Sequence, residues 1–391
     1  MYHLLLRRMN MKSSHKKGVF IGFLIIGLLI MSGIISYILY YSVTNEKTAV
    51  KPTETRKPQN TSKEENNKPK DNEPKQDVKT NVLLSFAGDS TIGHDANFGF
   101  ANSLPAVLQK NGNDYSYFFK NVLPIFKNDD LSVVNLETTF TNSNSRKAKQ
   151  FNFKADPEYA KSLTLGSVEA VNISNNHIYD YNKEGFNDTV NTLKSNDVGF
   201  FGEGYKYTKD INGGKFGFLG YTGFYADETF FKKLKSDIQS FKDEGRIVII
   251  NFHWGAENMY YPVESQTLIA HTAIDNGADL IIGHHPHVVQ GIEQYKGKII
   301  AYSLGNFCFG GNFNPKDKDT FILQVKYNLI NGSPQSYEVK AIPCSISSVN
   351  YINDYCPTPA QGSEKTRILN KLNNISQSFG FSISDEFKII K

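Results

Sequence analysis

From Asn81 onward the chain alternates short apolar runs with longer amphipathic stretches, and this alternation constrains its fold more than any other feature. The runs are VLLSFA (82–87), LSVVNL (131–136), EAVNIS (169–174), GFFGEG (199–204), KFGFLGY (215–221), RIVIINF (246–252), DLIIG (279–283) and KIIAYSL (298–304). Most are rich in Val, Ile and Phe and are too short for helices, so they read as strands. Helices are expected near 156–165, 183–196, 227–242 and 264–276. Strand–helix alternation predicts an α/β layered fold with at least partly parallel strands. Two further strand-like runs, 320–330 and 336–347, flank Asn331-Gly332, a hairpin-turn signal. A helical stretch at 363–379 follows.

The N-terminal part reads differently. Residues 18–43 are 26 positions without a charge. As a helix at about 1.5 Å per residue this segment would exceed the roughly 30 Å hydrocarbon core. Tyr37, Tyr40 and Tyr41 cluster at its far end, as an interfacial belt does. No small-residue cleavage site follows, so a transmembrane anchor is expected rather than a cleaved signal peptide. Arg7, Arg8, Lys12, Lys16 and Lys17 precede it and predict a cytoplasmic N-terminus. Residues 44–80 mix charge, Asn and Pro, as a disordered tether does. The expected organisation is a cytoplasmic tail (1–17), a single-pass anchor in the lipid bilayer of the cell membrane (18–43), a linker (44–80), an extracytoplasmic domain (81–330) and a C-terminal strand and helix extension packing on it (331–391).

The formal net charge of +4 belongs to these appendages. Residues 81–391 carry 29 basic and 32 acidic side chains, a net of −3. A basic nucleic-acid-binding face loses its support, and no nucleic-acid partner is expected. With 39% hydrophobic and 13% aromatic residues the chain suits a packed domain. Three cysteines are too few for a disulfide scaffold or a cysteine zinc site. Cys344 and Cys356 stand either as a disulfide or as two free thiols, with Cys308 unpaired and buried.

The chemistry-bearing residues follow the strands. Asp89 follows VLLSFAG, Glu137 follows LSVVNL, and Asn175, Asn176 and His177 follow EAVNIS. His253 follows IVIINF, and His284, His285 and His287 follow DLIIG. In α/β sheets, sites form outside the carboxyl ends of strands, so five strands deliver carboxylate, amide and imidazole to one crevice. Imidazole suits Zn, Fe or Mn, and a carboxylate can bridge two ions that clamp a phosphoryl transfer. Taken singly, Asp89 also reads as a turn or helix cap, Glu137 as a solvated strand end, Ser174–His177 as a capping turn and His253 as a packed histidine. Three histidines in four positions around Pro286 point to metal or phosphate contact. His271 sits in a helical pattern and reads as structural; His94 lies five residues after Asp89, within reach of the crevice. Glu257 and Tyr260 are placed to touch substrate, and Asn306 after Gly305 is either a crevice amide or part of a structural turn.

Six motifs, AGDS (87–90), VVNLETTF (133–140), NISNNHIYDY (172–181), NFHWGAE (251–257), GADLIIGHHPHVVQGIE (277–293) and IIAYSLGNFCF (299–309), together resemble the bacterial capsule-synthesis CapA (PgsA) family over roughly 81–310. The resemblance implies a part in poly-γ-glutamate synthesis or export. It also implies a fold similar to calcineurin-like metallophosphoesterases, a four-layer β-sandwich flanked by helices. Carried over residue by residue, Asp89 matches the first-motif aspartate, Glu137 the bridging carboxylate, Asn176 a metal-bound amide, His253 the lone metal histidine, and His285 and His287 the final His-x-His. His177 matches the phosphate-contacting histidine; with Asp89 it is the implied catalytic pair, while Asn175, Asn306 and Glu257 would contact substrate. One or two divalent ions (Zn, Mn or Fe), membrane-embedded synthase or export subunits and an anionic polymer such as poly-γ-glutamate are the implied cofactor and partners. The chain departs from the pattern in two places. Asp89-Ser90-Thr91 replaces Asp-x-His, and the bridging carboxylate is Glu. A non-catalytic polymer-binding or scaffold subunit is the alternative these departures favour.

Overall fold

The computed structural model describes residues 76–95 and 97–391. The expected anchor and nearly all of the expected linker lie outside the described residues, and among those described no helix is long and apolar enough to cross a membrane.

Two sheets carry the architecture. In the first, neighbours run β17 (Thr358–Pro359), β16 (Ser333–Ser345), β15 (Asp319–Ile330), β1 (Lys79–Thr91), β3 (Leu131–Leu136), β6 (Ala170–Asn172) and β7 (Gly199–Phe201). β14 (Asn306–Phe309) pairs with the end of β1, and β18 (Lys388–Ile390) pairs with β16. In the second, the order is β12 (Ile292–Tyr295), β13 (Lys298–Ala301), β11 (Leu280–His284), β10 (Ile247–His253), β9 (Gly214–Thr222) and β8 (Tyr207–Ile211). β1, β3, β6 and β7 run parallel, as do β9, β10, β11 and β13. A small third sheet joins β2 (His94–Asp95), β5 (Phe153–Ala155) and β4 (Thr139–Phe140).

Side-chain alternation turns these sheets into layers. Val82, Leu84, Phe86, Leu131 and Val133 of the first sheet share one core with Phe216, Phe218, Ile247, Ile249, Leu280 and Ile282 of the second. Residues of opposite parity face outward onto helices. Val134, Leu136 and Val171 pack on α1 (Leu104–Lys110), α2 (Leu123–Phe126), α3 (Lys161–Leu165) and α4 (Asn182–Ser195). Val248, Ile250 and Ile281 pack on α5 (Glu228–Asp243) and α6 (Glu264–Asp275). The order is helix layer, sheet, sheet, helix layer. Central strands covered on both faces must be apolar on both, which is why they read as continuous runs.

The local sequence explains the helices. α5 buries Leu234, Ile238 and Phe241, a stripe at i, i+4 and i+7, and Asp227 caps it by accepting from the Phe230 amide at 2.8 Å. α7 (Gly362–Ser376) closes one end of the sandwich with Leu372 and Ile375 in the shared core. Asn331 and Gly332, at φ 51° and 79°, join β15 to β16 in the left-handed turn their types favour. Residues 331–391 thus belong to the first sheet and its cover. The short helices α1 and α2 have no counterpart in the sequence reading, because seven and four residues are too few for a clear period. The three cysteines are buried and free, so Cys344 and Cys356 are not joined.

Candidate functional site

The inward-facing rows of five strands change from apolar to polar at their carboxyl ends. β3 reads Leu131, Val133, Asn135; β6 reads Ala170, Asn172; β10 reads Ile247, Ile249, Asn251, His253; β11 reads Leu280, Ile282, His284. On β1 the register shifts between Phe86 and Asp89, which brings Asp89 level with Asn135 on one side and Asn306 on the other. The crevice therefore lies between the two sheets at their common edge. Gly88 permits a close approach: a Cβ there would meet the Gly305 carbonyl at 2.0 Å.

Asp89 is fully buried at the centre. Its Oδ1 accepts from Asn135 Nδ2 at 2.8 Å and its Oδ2 from the His285 backbone amide at 3.1 Å. His284 Nδ1 and His287 Nδ1 each stand 3.5 Å from its carboxylate. Burial alone would raise this carboxyl, but His284, His287 and Asn135 hold it below the ordinary carboxylate range. Glu137 is equally buried. Thr91 Oγ1 is 3.5 Å from Glu137 Oε2. Burial first, then repulsion from Asp89, Glu257 and Asp180, pushes Glu137 well above the ordinary range.

The imidazoles surround this pair. His253 Nε2 lies 3.4 Å from Glu137 Oε1 and 2.9 Å from Asn176 Oδ1, while its Nδ1 lies 3.2 Å from Asn135 Nδ2. His285 and His287 take positive φ, 98° and 58°, so the turn is strained into place around Pro286. Phe224 packs edge-on against His285 with ring centroids 4.7 Å apart. Burial and neighbouring imidazoles hold His253 well below its ordinary value and His285 at about 4, so both are neutral donors of lone pairs.

His177 is built as a dyad. Its Nδ1 lies 2.7 Å from Asp180 Oδ2, and Lys149 Nζ bonds Asp180 Oδ1 at 2.5 Å and the Asn176 carbonyl at 2.9 Å. Burial, and then Lys149, outweigh the attraction of Asp180 and hold His177 below its ordinary value.

Among the described residues, three groups of side chains present ligand atoms within 4.8 Å of one another: Glu137–His253–His285, Asp89–Glu137–His287 and Glu257–His285–His287. Ligand atoms sharing one ion lie about 3–4 Å apart, so small rotamer adjustments suffice. Glu137 belongs to the first two groups, the place a bridging carboxylate takes. Glu137 Oε1, His284 Nδ1 and His285 Nδ1 are buried without a hydrogen-bond partner. Of these, Glu137 Oε1 and the His285 nitrogen fit a divalent cation, which would satisfy them and offset the repulsion between the two carboxylates, whereas His284 Nε2 accepts from Asn251 Nδ2 at 3.1 Å, so its Nδ1 carries the proton that faces Asp89.

The structure brings Asp89, Glu137, Asn176, His177, His253, His285 and His287 together, with Glu257 at the exposed mouth. Two residues expected to touch substrate have their amides engaged elsewhere. Asn175 donates to the Leu136 carbonyl at 2.8 Å and accepts from the His177 amide at 3.1 Å, so it shapes the turn. Asn306 Oδ1 lies 2.8 Å from His287 Nδ1 and its Nδ2 donates to the His287 carbonyl at 3.1 Å, so it orients that imidazole. His94 sits in the small sheet beside Lys154 and joins none of the three groups. His271 stacks on Tyr295, centroids 3.8 Å apart, and bonds Glu293 at 3.0 Å, a structural role. Tyr260 donates to Asp317 at 2.8 Å. Asn135, Asn172, Asp180 and Lys149 were not singled out from the sequence. Asn172 Nδ2 donates to Asn135 Oδ1 at 2.9 Å, which fixes the amide that holds both Asp89 and His253. The available signal was the parity of the strands, in which an amide replaces the last inward apolar residue.

The chain is similar in sequence to known proteins. A protein of Bacillus subtilis (strain 168) called PGA biosynthesis protein CapA is 30% identical over 280 residues, 66% of this chain and 70% of that one. The capsule biosynthesis protein CapA of Bacillus anthracis is 30% identical over 268 residues, 59% of this chain and 65% of its own length. A probable polyglutamine synthesis accessory protein of Mycobacterium tuberculosis is 24% identical over 230 residues, 49% of this chain and 60% of that protein. The sequence profile described as bacterial capsule synthesis protein PGA_cap matches residues 83–311, which hold the carboxyl end of every strand that feeds the crevice, and the chain belongs to that family.

Proposed function

We propose that the chain is a membrane-anchored, extracytoplasmic component of poly-γ-glutamate capsule assembly whose strand-end crevice is a metal-dependent hydrolytic site on a metallophosphoesterase-like sandwich. The observation that carries this reading is Glu137, buried beside Asp89, facing three imidazoles and lacking a partner for Oε1. The relatives' names supply the polymer and its assembly. The anchor rests on the uncharged segment 18–43 and the basic residues before it.

Asp89, Glu137, Asn176, His253, His285 and His287 would hold one or two divalent ions. A bound ion supplies Lewis acidity towards a carbonyl or phosphoryl oxygen. The chain's own groups do the rest. Asn135 locks Asp89 and His253 in register, and Asn306 fixes His287. Asp180 holds the His177 Nδ1 proton, which leaves Nε2 able to exchange a proton with a reacting group. The scissile bond is a phosphoester, or an amide or ester of the polymer.

Thr91 in place of the first-motif histidine supports a second reading, in which the crevice binds polymer without turnover. Elemental analysis of the purified full chain, beside His253→Ala and His285→Ala, tests the first. About one or two ions per chain, lost in both variants, are expected. A metal-free wild type that still supports capsule formation would sink it.

A further inference from the structure

Between Glu137 and Asp156 the chain carries four basic residues, Arg146, Lys147, Lys149 and Lys154, and no acidic one. This is unusual in a domain whose net charge is −3. Residues 144–151 form an exposed loop, and the loop reaches the crevice. Lys149 Nζ bonds the Asn176 carbonyl at 2.9 Å, and the Asn176 side chain meets His253. Phe151 stacks on Phe153 at 6.3 Å between centroids, and Phe153 lies 4.3 Å from the His177 ring. An apolar path thus runs from the loop to the dyad.

Lys149 is engaged with Asp180, but Arg146 and Lys147 have no carboxylate partner among the described residues. Arg146 donates to the Asn97 amide oxygen at 3.2 Å, and Lys147 lies over the Tyr179 ring at 5.2 Å. The acids nearest the loop's start, Glu184 and Asp188, are held by Ser143 and Thr141 rather than by its cations. Two exposed cations, on the loop whose Lys149 touches the crevice, attract a carboxylate chain where the bulk of the domain does not.

We propose that loop 142–151 is the docking strap for a polycarboxylate chain, with Arg146 and Lys147 taking successive carboxylates and Phe151 covering the stem between them. This rests on the polymer reading above and adds the place and the groups that grip. The test is binding of fluorescently labelled poly-γ-glutamate to the full chain, read by anisotropy at about 0.1 M salt. Arg146→Gln/Lys147→Gln is compared with Lys232→Gln/Lys235→Gln, which removes the same charge from the exposed face of α5. Two surface ion pairs are together worth about tenfold. The loop variant is expected to bind about tenfold more weakly, the α5 variant within twofold of wild type. Equal weakening of both variants, or of neither, overturns the strap while leaving polymer binding intact. A wild type that does not bind the polymer overturns both.

Discussion

A glutamate at position 137 reaches one methylene further than aspartate, and its length places Oε1 between His253 and His287, at 3.4 Å and 3.9 Å. Glu137→Gln keeps the shape and removes the charge. Metal affinity is expected to fall by more than the roughly 10–100-fold that loss of an outer partner costs, with the fold kept; elemental analysis and circular dichroism check both. A second carboxyl sits far from the crevice, at the other end of the first sheet. Burial pushes Asp129 up to about 7, with Glu169 and Asp130 adding to it against hydrogen bonds from Ser85 and Ser132. A folded-state value above the unfolded one means its contribution is present in acid and is lost as pH rises towards 7. Asp129→Asn is therefore expected to raise the melting temperature at pH 8 and to change it little at pH 4. An equal shift at both would remove the ionisation as its cause. The residues that the sequence did not single out include the two amides inside strands, Asn135 and Asn172. Asn135 sits inside LSVVNL, where a lone Asn reads as a tolerated ladder residue, and its role appears only when Asp89 and His253 arrive from distant strands.

At the scale of elements, the strands and long helices were legible because their periods are long enough to read. LSVVNL (131–136) coincides with β3, and the expected helix at 227–242 became Glu228–Asp243. The elements that escaped are those defined by partners. β14 is four residues after a Gly turn and exists because β1 offers it an edge. β18 exists because β16 does. This separates two kinds of damage. Leu234→Ala on α5 empties a core position distant from the crevice and is expected to cost about 2–4 kcal/mol in denaturant unfolding with metal content unchanged. Gly88→Ala pushes β14 away from Asp89 and is expected to reduce metal content as well as stability.

For the molecule as a whole, the C-terminal part is structural. β16 pairs with β15 along nearly its full length, and Leu372 and Ile375 of α7 lie in the core between the sheets. Truncation after residue 330 is expected to yield aggregated rather than soluble chain, read by size-exclusion chromatography, because β15 becomes a long apolar edge. The hydrogen bond from the His285 amide to Asp89 joins positions 196 residues apart. Contacts of that span are slow to form, since the chain between them must be ordered first. The crevice therefore waits on a long-range closure, as the β1–β15 ladder does. Nearly three hundred residues must emerge before Asp89 can meet His285 and His287.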